Sequence, residues 1–245
     1  MAAGRVSYLT LSPREAMAGP SPLAVLLYYP NIIGYARIVA VLTSYYLADT
    51  NWKASSLCYV VAFAGDAVDG LVARKFNQSS RFGAVLDMVT DRCSTAGLLM
   101  VLARLYGGMP AFLFLLLMFI DLFSHWMHVQ STAGRPHKAA DTLAGRNIIT
   151  RLFYGCYPFF AYCCVGTELF YVGLYLLTFI PEAAWGLGGG VAITLHAVCY
   201  YVGLPACLCK QAVNVAQLCS ASISLALVES EGVAPPEGGG VSKED

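Results

Sequence analysis

The sequence predicts an all-α, polytopic membrane protein with six transmembrane helices. Three observations carry this. Of its 245 residues 58% are hydrophobic and 12% are charged, roughly half the charged share of a soluble domain. Several windows hold the roughly 20 mostly apolar residues that a bilayer span requires. Lys and Arg also gather in alternate connectors, as they do when one side of a membrane protein faces the cytosol. The formal net charge of zero says little about partners, because the placement of charge matters more than its sum. No nucleic-acid partner is expected.

The elements follow in order. Residues 1–20 read as an irregular cytosolic amino end, with Pro13 and Pro20 as breakers and no compact apolar core of a signal peptide. A membrane domain is expected over 21–228. It opens with a short interfacial helix in "SPLAVLLYYPN", ended by Pro30. Spans are then expected at about 31–48, 56–75, 82–105 and 110–130, joined by "DTNWKAS", "FNQSS" and "YGGMP". Residues 131–149 form a polar connector. The apolar run at about 152–180 is too long for one untilted span and too short for two, so a single helix bent at Pro158 is expected. The run at about 187–228 is read as a sixth span ending near Lys210 with an apolar extension, and 229–245 as a disordered acidic tail.

With six spans, one side collects Arg5, Arg14, Arg74, Lys75, Arg81, Arg135, Lys138, Arg146, Arg151 and Lys243, and the other only Lys53 and Arg104. Both termini are therefore expected in the cytosol. The nine cysteines form no C-x-x-C pair and lie mostly in apolar runs. They read as small buried hydrophobes, with neither a disulfide framework nor a zinc site.

Four aspartates contradict this greasy background. Asp66 and Asp69 lie in the second span, Asp87 and Asp91 in the third. An Asp at a helix centre costs roughly 2.5–3.5 kcal/mol on insertion scales, and two carboxylates about 4 Å apart repel by roughly 4 kcal/mol at an effective dielectric near 20. Such residues must face a cavity and something cationic. Asp66, Asp69, Gly70, Ala73 and Arg74 share one helical stripe, and Gly83, Asp87 and Asp91 share another. Folding the two spans antiparallel about "NQSS" brings all four carboxylates to one depth, a few turns from the cytosolic loop.

Oxygen-only donors favour a hard cation such as Mg²⁺ or Mn²⁺. Two ions would neutralise the cluster and could clamp a phosphate. Gly70 and Ala73 leave room for a ligand, and Arg74 lies at the cytosolic mouth, where it could grip a phosphate oxygen. Lys75 reads as a positive-inside anchor. An internally paired structural cluster is the plain alternative, but Arg74 and Arg92 are too few to balance four acids.

Read as D-x-x-D-G-x-x-A-R-x8-G-x-x-x-D-x-x-x-D, residues 66–91 resemble the signature of the CDP-alcohol phosphatidyltransferases at every fixed position. "PNIIGYAR" resembles that family's first-helix motif, which puts Asn31 and Arg37 near the nucleotide site. The stretches "DLFSHWMH" and "TELFYVGLYLL" extend the likeness to eukaryotic members that take myo-inositol.

The resemblance implies the fold of that family in an endoplasmic reticulum membrane, often as a homodimer. It also implies transfer of the phosphatidyl group of CDP-diacylglycerol to myo-inositol with release of CMP. On it, Asp66, Asp69 and Asp87 are the main metal ligands, and Asp91 is the general base, also touching a metal. Asn31, Arg37, Asp66, Gly70, Ala73, Arg74 and Gly83 line the CDP-diacylglycerol site.

The inositol pocket is drawn from Arg81, Asp121, His125, Arg135 and Arg151. Asp121, Ser124, His125 and His128 share one helical face, so they read equally as a structural polar seam. Glu168 is expected to pair with a neighbour or to pack at a dimer contact. Three rivals stay open. Another acceptor (glycerol 3-phosphate, serine or an inositol phosphate) keeps the family. An intramembrane prenyltransferase needs its Asp motifs on distant helices. A divalent-cation transporter explains the acids but not Gly70, Ala73, Arg74 and Gly83.

Overall fold

A computed structural model describes residues 20–132, 153, 155–188 and 191–230. The expected irregular amino end, the tail beyond 230 and nearly all of the polar connector, with Arg135 and Arg151, lie outside the described residues. A short helix α1 (Pro22–Leu26) precedes four long ones, α2 (Tyr29–Leu47), α3 (Trp52–Lys75), α4 (Arg81–Tyr106) and α5 (Gly108–Thr132). Next come α6 (Tyr157–Leu177), strands β1 (Ala184–Gly188) and β2 (Val191–Thr194), and a short turn α7 (Leu195–Ala197). A π-helical stretch, Val198–Gly203, then leads into α8 (Leu204–Ser230).

Local chemistry accounts for the boundaries. The side chains of Ser21, Asn51 and Ser80 cap α1, α3 and α4 by accepting a backbone N–H three residues on. Asn77 takes a positive φ in the α3–α4 turn, a conformation that asparagine tolerates. Pro30 sits in the first turn of α2 instead of ending the helix before it. Likewise Pro158 stands in the first turn of α6, where it has no backbone partner to lose, so it starts that helix and does not bend it.

Two further expectations are corrected. The sixth run is not one helix: β1 and β2 pair antiparallel, with an irregular register between Gly186 and Gly188, so the fold is mostly helical with one small hairpin. A glycine-rich apolar run has no helical period to hold it in a helix. Nor does the last span end near Lys210. That residue is buried within α8, which continues to Ser230.

Among the described residues three helices, α3, α5 and α6, are long and apolar enough to cross a membrane. The other long helices carry polar side chains, but turn many of them inward. Arg37 and Asn31 of α2, Thr90 and Thr95 of α4, and Lys210, Asn214 and Gln217 of α8 are buried. Large apolar residues are exposed on the same three helices, among them Val39, Leu42, Val89, Met100, Leu208 and Ile223. Polar inside and apolar outside is the arrangement expected of a protein whose solvent is lipid.

The central helix is α6, more than half buried over its apolar window. Around it Tyr59, Leu99, Leu102, Phe170, Tyr171, Leu174, Cys199 and Cys207 form the main apolar core. Small residues permit close approach. A Cβ at Gly166 would lie 2.5 Å from that of Ala206, and one at Gly173 would lie 2.4 Å from the Cys199 sulfur. At the opposite end of the molecule from the α3–α4 turn, Arg104 pairs with Asp49.

A close approach joins α2 and α4. A Cβ at Gly97 would fall 2.3 Å from the Tyr45 ring, and the Tyr45 hydroxyl is anchored by donating to the Ser94 carbonyl at 2.6 Å. Gly97→Ala is therefore expected to force the helices apart and cost about 1–3 kcal/mol, the range for an overpacked core. A lowered thermal midpoint in detergent checks this.

Candidate functional site

The acidic stripes of α3 and α4 do meet, but not as a closed two-helix hairpin. Both helices pack chiefly on other elements, and α2 packs along each of them. The carboxylates thus face one another across a gap, and Arg37 of α2 fills it. Its Nη1 donates to Asp69 Oδ2 at 2.6 Å and Asp87 Oδ1 at 2.7 Å. Its Nη2 donates to Asp91 Oδ1 at 2.5 Å and lies 3.2 Å from Asp66 Oδ1. One guanidinium contacting all four acids places them at one depth. Sequence reasoning put Arg37 near a nucleotide and overlooked it as the missing counter-ion; the available signal was a lone cation in the interior of an apolar span.

Arg37 is itself held firmly. Its Nε donates to the Ala62 carbonyl at 3.1 Å, and its side chain is 4% exposed. A Cβ at Gly65 would lie 2.9 Å from Arg37 Cγ, so the glycine makes room for the arginine. Asp66, Asp87 and Asp91 remain substantially open, at 41%, 45% and 32% side-chain exposure, whereas Asp69 is nearly buried. At 1.5 Å of rise per residue, Asp69 and Asp87 lie about 9 Å from the α3–α4 turn, and Asp66 and Asp91 about 14–15 Å.

The donor set fits a hard cation. Asp66, Asp69 and Asp87 can each offer one oxygen within 4.8 Å of the others, and carboxylate oxygen is the ligand that Mg²⁺ and Mn²⁺ prefer. Asp91 is not in that group of three. It stands to one side, against Arg37 Nη2.

A cleft of about 180 Å³ leads from Asp69 and Asp87 to the α3–α4 turn, lined by Asn31, Gly34, Gly70, Ala73, Ser80 and Gly83 among others. Its floor is well fixed. Asn31 is buried and donates to the Val25 carbonyl at 2.6 Å, and Gln78 accepts from the Tyr29 N–H at 2.9 Å. Arg74 is exposed, folds back toward Gly70 and makes no ion pair among the described residues. Its guanidinium is free for an anion.

The expected acceptor residues separate. Asp121 is buried, takes both oxygens' worth of contact from Arg92 at 3.1 Å, and accepts from Asn214 Nδ2 at 3.0 Å. His125 donates through Nδ1 to the Asp121 carbonyl at 2.8 Å. These residues form a polar seam between α4, α5 and α8, and its Arg92 directly follows Asp91 in sequence. Arg92 is therefore paired with Asp121 and forms no ion pair with the four acids among the described residues. Arg81 is exposed at the mouth, without an ion pair among the described residues. Arg135 and Arg151 lie outside them.

Glu168 has neighbours on other helices: it accepts from Tyr59 at 2.8 Å and Thr95 at 2.7 Å. The α8 contribution had escaped notice, with Lys210 read only as a span end and Asn214 and Gln217 not singled out. Its signal was a polar stripe at i, i+4 and i+7.

The family model described as CDP-alcohol phosphatidyltransferase matches residues 27–179. The chain belongs to that family, a class of membrane enzymes joined by the Asp66–Asp91 pattern described above. Among its relatives, the human CDP-diacylglycerol–inositol 3-phosphatidyltransferase is 39% identical over 209 residues, covering 84% of this chain and 94% of the relative. The Drosophila melanogaster protein of that name is 48% identical over 158 residues, covering 63% of this chain and 67% of the relative. CDP-diacylglycerol–inositol 3-phosphatidyltransferase 1 of Arabidopsis thaliana is 45% identical over 161 residues, covering 64% and 69%. No solved structure matches the chain significantly.

Two glycines in the cleft differ in what they can tolerate. A Cβ at Gly70 would meet only the Arg74 guanidinium, at an ordinary 3.5 Å, while one at Gly83 would come within 2.8 Å of the anchored Asn31 Oδ1 and 3.1 Å of Ser80 Oγ. Gly70→Ala is expected to leave the thermal midpoint in detergent unchanged. Gly83→Ala should lower it by an amount equivalent to about 1–3 kcal/mol.

Proposed function

We propose that the protein transfers the phosphatidyl group of CDP-diacylglycerol to myo-inositol, releasing CMP. One observation carries this: Asp69, Gly70, Ala73, Gly83 and Asp87 of the eight-residue pattern line one cleft, with Asp66 and Asp91 joined to them through Arg37, in a chain whose relatives bear that activity in their names.

Asp66, Asp69 and Asp87 would hold Mg²⁺ or Mn²⁺, with Asp91 reaching a second ion. A bound divalent cation neutralises diphosphate charge and polarises the phosphoryl group. Asn31, Arg37, Gly70, Ala73, Arg74 and Gly83 are assigned to the CDP side. Their support is the cleft they line or border and the unpaired guanidinium of Arg74.

Asp91 takes the proton of an inositol hydroxyl. The oxygen attacks the β-phosphorus, its bond to the bridging oxygen breaks, and CMP leaves with the charge. Positioning and charge stabilisation supply the rest of the barrier lowering. Asp91 suits this role because it stands beside the trio of candidate ligands and not within it.

The acceptor side is assigned to Arg81, Asp121, His125, Arg135 and Arg151. Supporting it are the exposed Arg81 at the mouth and the Arg92–Asp121 pair that carries the seam up to Asp91.

The six long helices are proposed as six spans in the endoplasmic reticulum membrane, within a domain over 21–228. The inward turn of polar residues on α2, α4 and α8 supports that number. Arg74, Lys75 and Arg81 at one end, against Lys53 and Arg104 at the other, support cytosolic termini. The diacylglycerol tails then stay in lipid while cytidine and inositol arrive from the cytosol. A homodimer completes the proposal, on resemblance alone.

Purified protein given CDP-diacylglycerol, Mg²⁺ or Mn²⁺ and each candidate alcohol in turn should release CMP with myo-inositol. Dependence on a different alcohol would move the acceptor and keep the family. No CMP with any alcohol, together with cation flux in liposomes, would favour transport. Asp91→Asn should lose about 10²–10⁴-fold in turnover while still binding CDP-diacylglycerol; near-normal turnover overturns its role. Chelation should abolish CMP release, and added Mg²⁺ or Mn²⁺ should restore it.

A further inference from the structure

We propose that Arg37 is a built-in counter-ion of the metal centre, which weakens divalent-cation binding in the donor-free protein and so couples metal loading to arrival of the donor's diphosphate. The inference rests on the metal reading above and deepens it.

The carboxylates available to a cation are those already engaged. Asp66, Asp69 and Asp87 form the candidate ligand trio, and the Arg37 amino groups lie 2.6–3.2 Å from oxygens of all three. A guanidinium and a divalent cation therefore draw on the same negative charge at close range.

Arg37 is also poorly placed to withdraw. Its Nε–H is held by the Ala62 carbonyl, its side chain is 4% exposed, and its stem packs where Gly65 lacks a Cβ. The arginine and the metal must then coexist, and burial of Arg37 limits how far water screens their mutual repulsion. Four carboxylates and one guanidinium leave a formal charge of −3. Two divalent ions turn this to +1, and a diphosphate, carrying about two negative charges, removes that excess.

Metal and donor should thus bind with positive linkage, and the linkage is reciprocal. Arg37 is a positioning residue in this account: it orients the acids and sets when the metal enters.

The test is Mn²⁺ binding to the full chain in detergent, read by electron paramagnetic resonance or calorimetry, with and without CDP and corrected for Mn²⁺ held by free CDP. In wild type, CDP should tighten Mn²⁺ binding at least tenfold. Without CDP, Arg37→Gln should bind Mn²⁺ at least tenfold more tightly than wild type. The gain from CDP should shrink below threefold, and the thermal midpoint should become dependent on Mn²⁺. Equal or weaker Mn²⁺ binding in Arg37→Gln, with the CDP gain retained, overturns the inference and leaves the metal reading standing. A wild type that binds no Mn²⁺ even with CDP overturns the metal reading and this inference with it. If Arg37→Gln does not fold, wild type decides alone: a gain from CDP below threefold overturns the inference.

Discussion

The contact of one guanidinium with four carboxylates is the constraint on which the rest of this protein depends. An isolated carboxylate at membrane depth is unfavourable by a few kcal/mol, and four together add their own repulsion. Arg37 relieves both problems from a third helix. That role explains why α2 runs against both α3 and α4, and why Gly65 and Gly97 stand where the arginine and Tyr45 need space. It also explains why the acids can stay open to a cleft instead of collapsing into a closed salt-bridged core.

The remaining polar residues follow the same logic of mutual satisfaction at depth. Asp121 is surrounded by Arg92, Asn214 and the His125 that donates to its carbonyl. Glu168 is met by two hydroxyls from other helices. Each group ties helices that hydrophobic contact alone would hold only loosely in lipid, where apolar side chains gain little by meeting one another. The apolar core around Tyr171 and Leu102 fills the remainder by close packing of small and large residues.

Much of this was legible in the sequence, and the reason is periodicity. The acids fall at helical spacing, the two stripes are balanced about one turn, and the motif between Asp66 and Asp91 is dense with fixed positions. What could not be read is long-range. Nothing local to Arg37 says that its partners lie on two other helices. Hydropathy placed the whole apolar run at about 187–228 in a span, yet its first residues belong to a hairpin, and average hydropathy does not distinguish the two. Pro30 and Pro158 were read as a break and a bend; both start helices, because proline in the first turn has no hydrogen bond to forfeit. The buried stripe on α8 was hidden by Lys210, which looked like the edge of a membrane and is instead buried within a helix that runs on to Ser230.

Because α3 and α4 reach each other mainly through α2, the width of the acidic cleft is not set by the turn that joins them. It is set by the girth of α2 and by the small residues at its contacts: its own Gly34 against Leu86, Gly65 against Arg37, Gly97 against Tyr45. The protein thus carries its calibration on a helix that contributes none of the four acids. A change of one methyl group at such a contact would alter the spacing between facing carboxylates while leaving every member of the acidic motif in place.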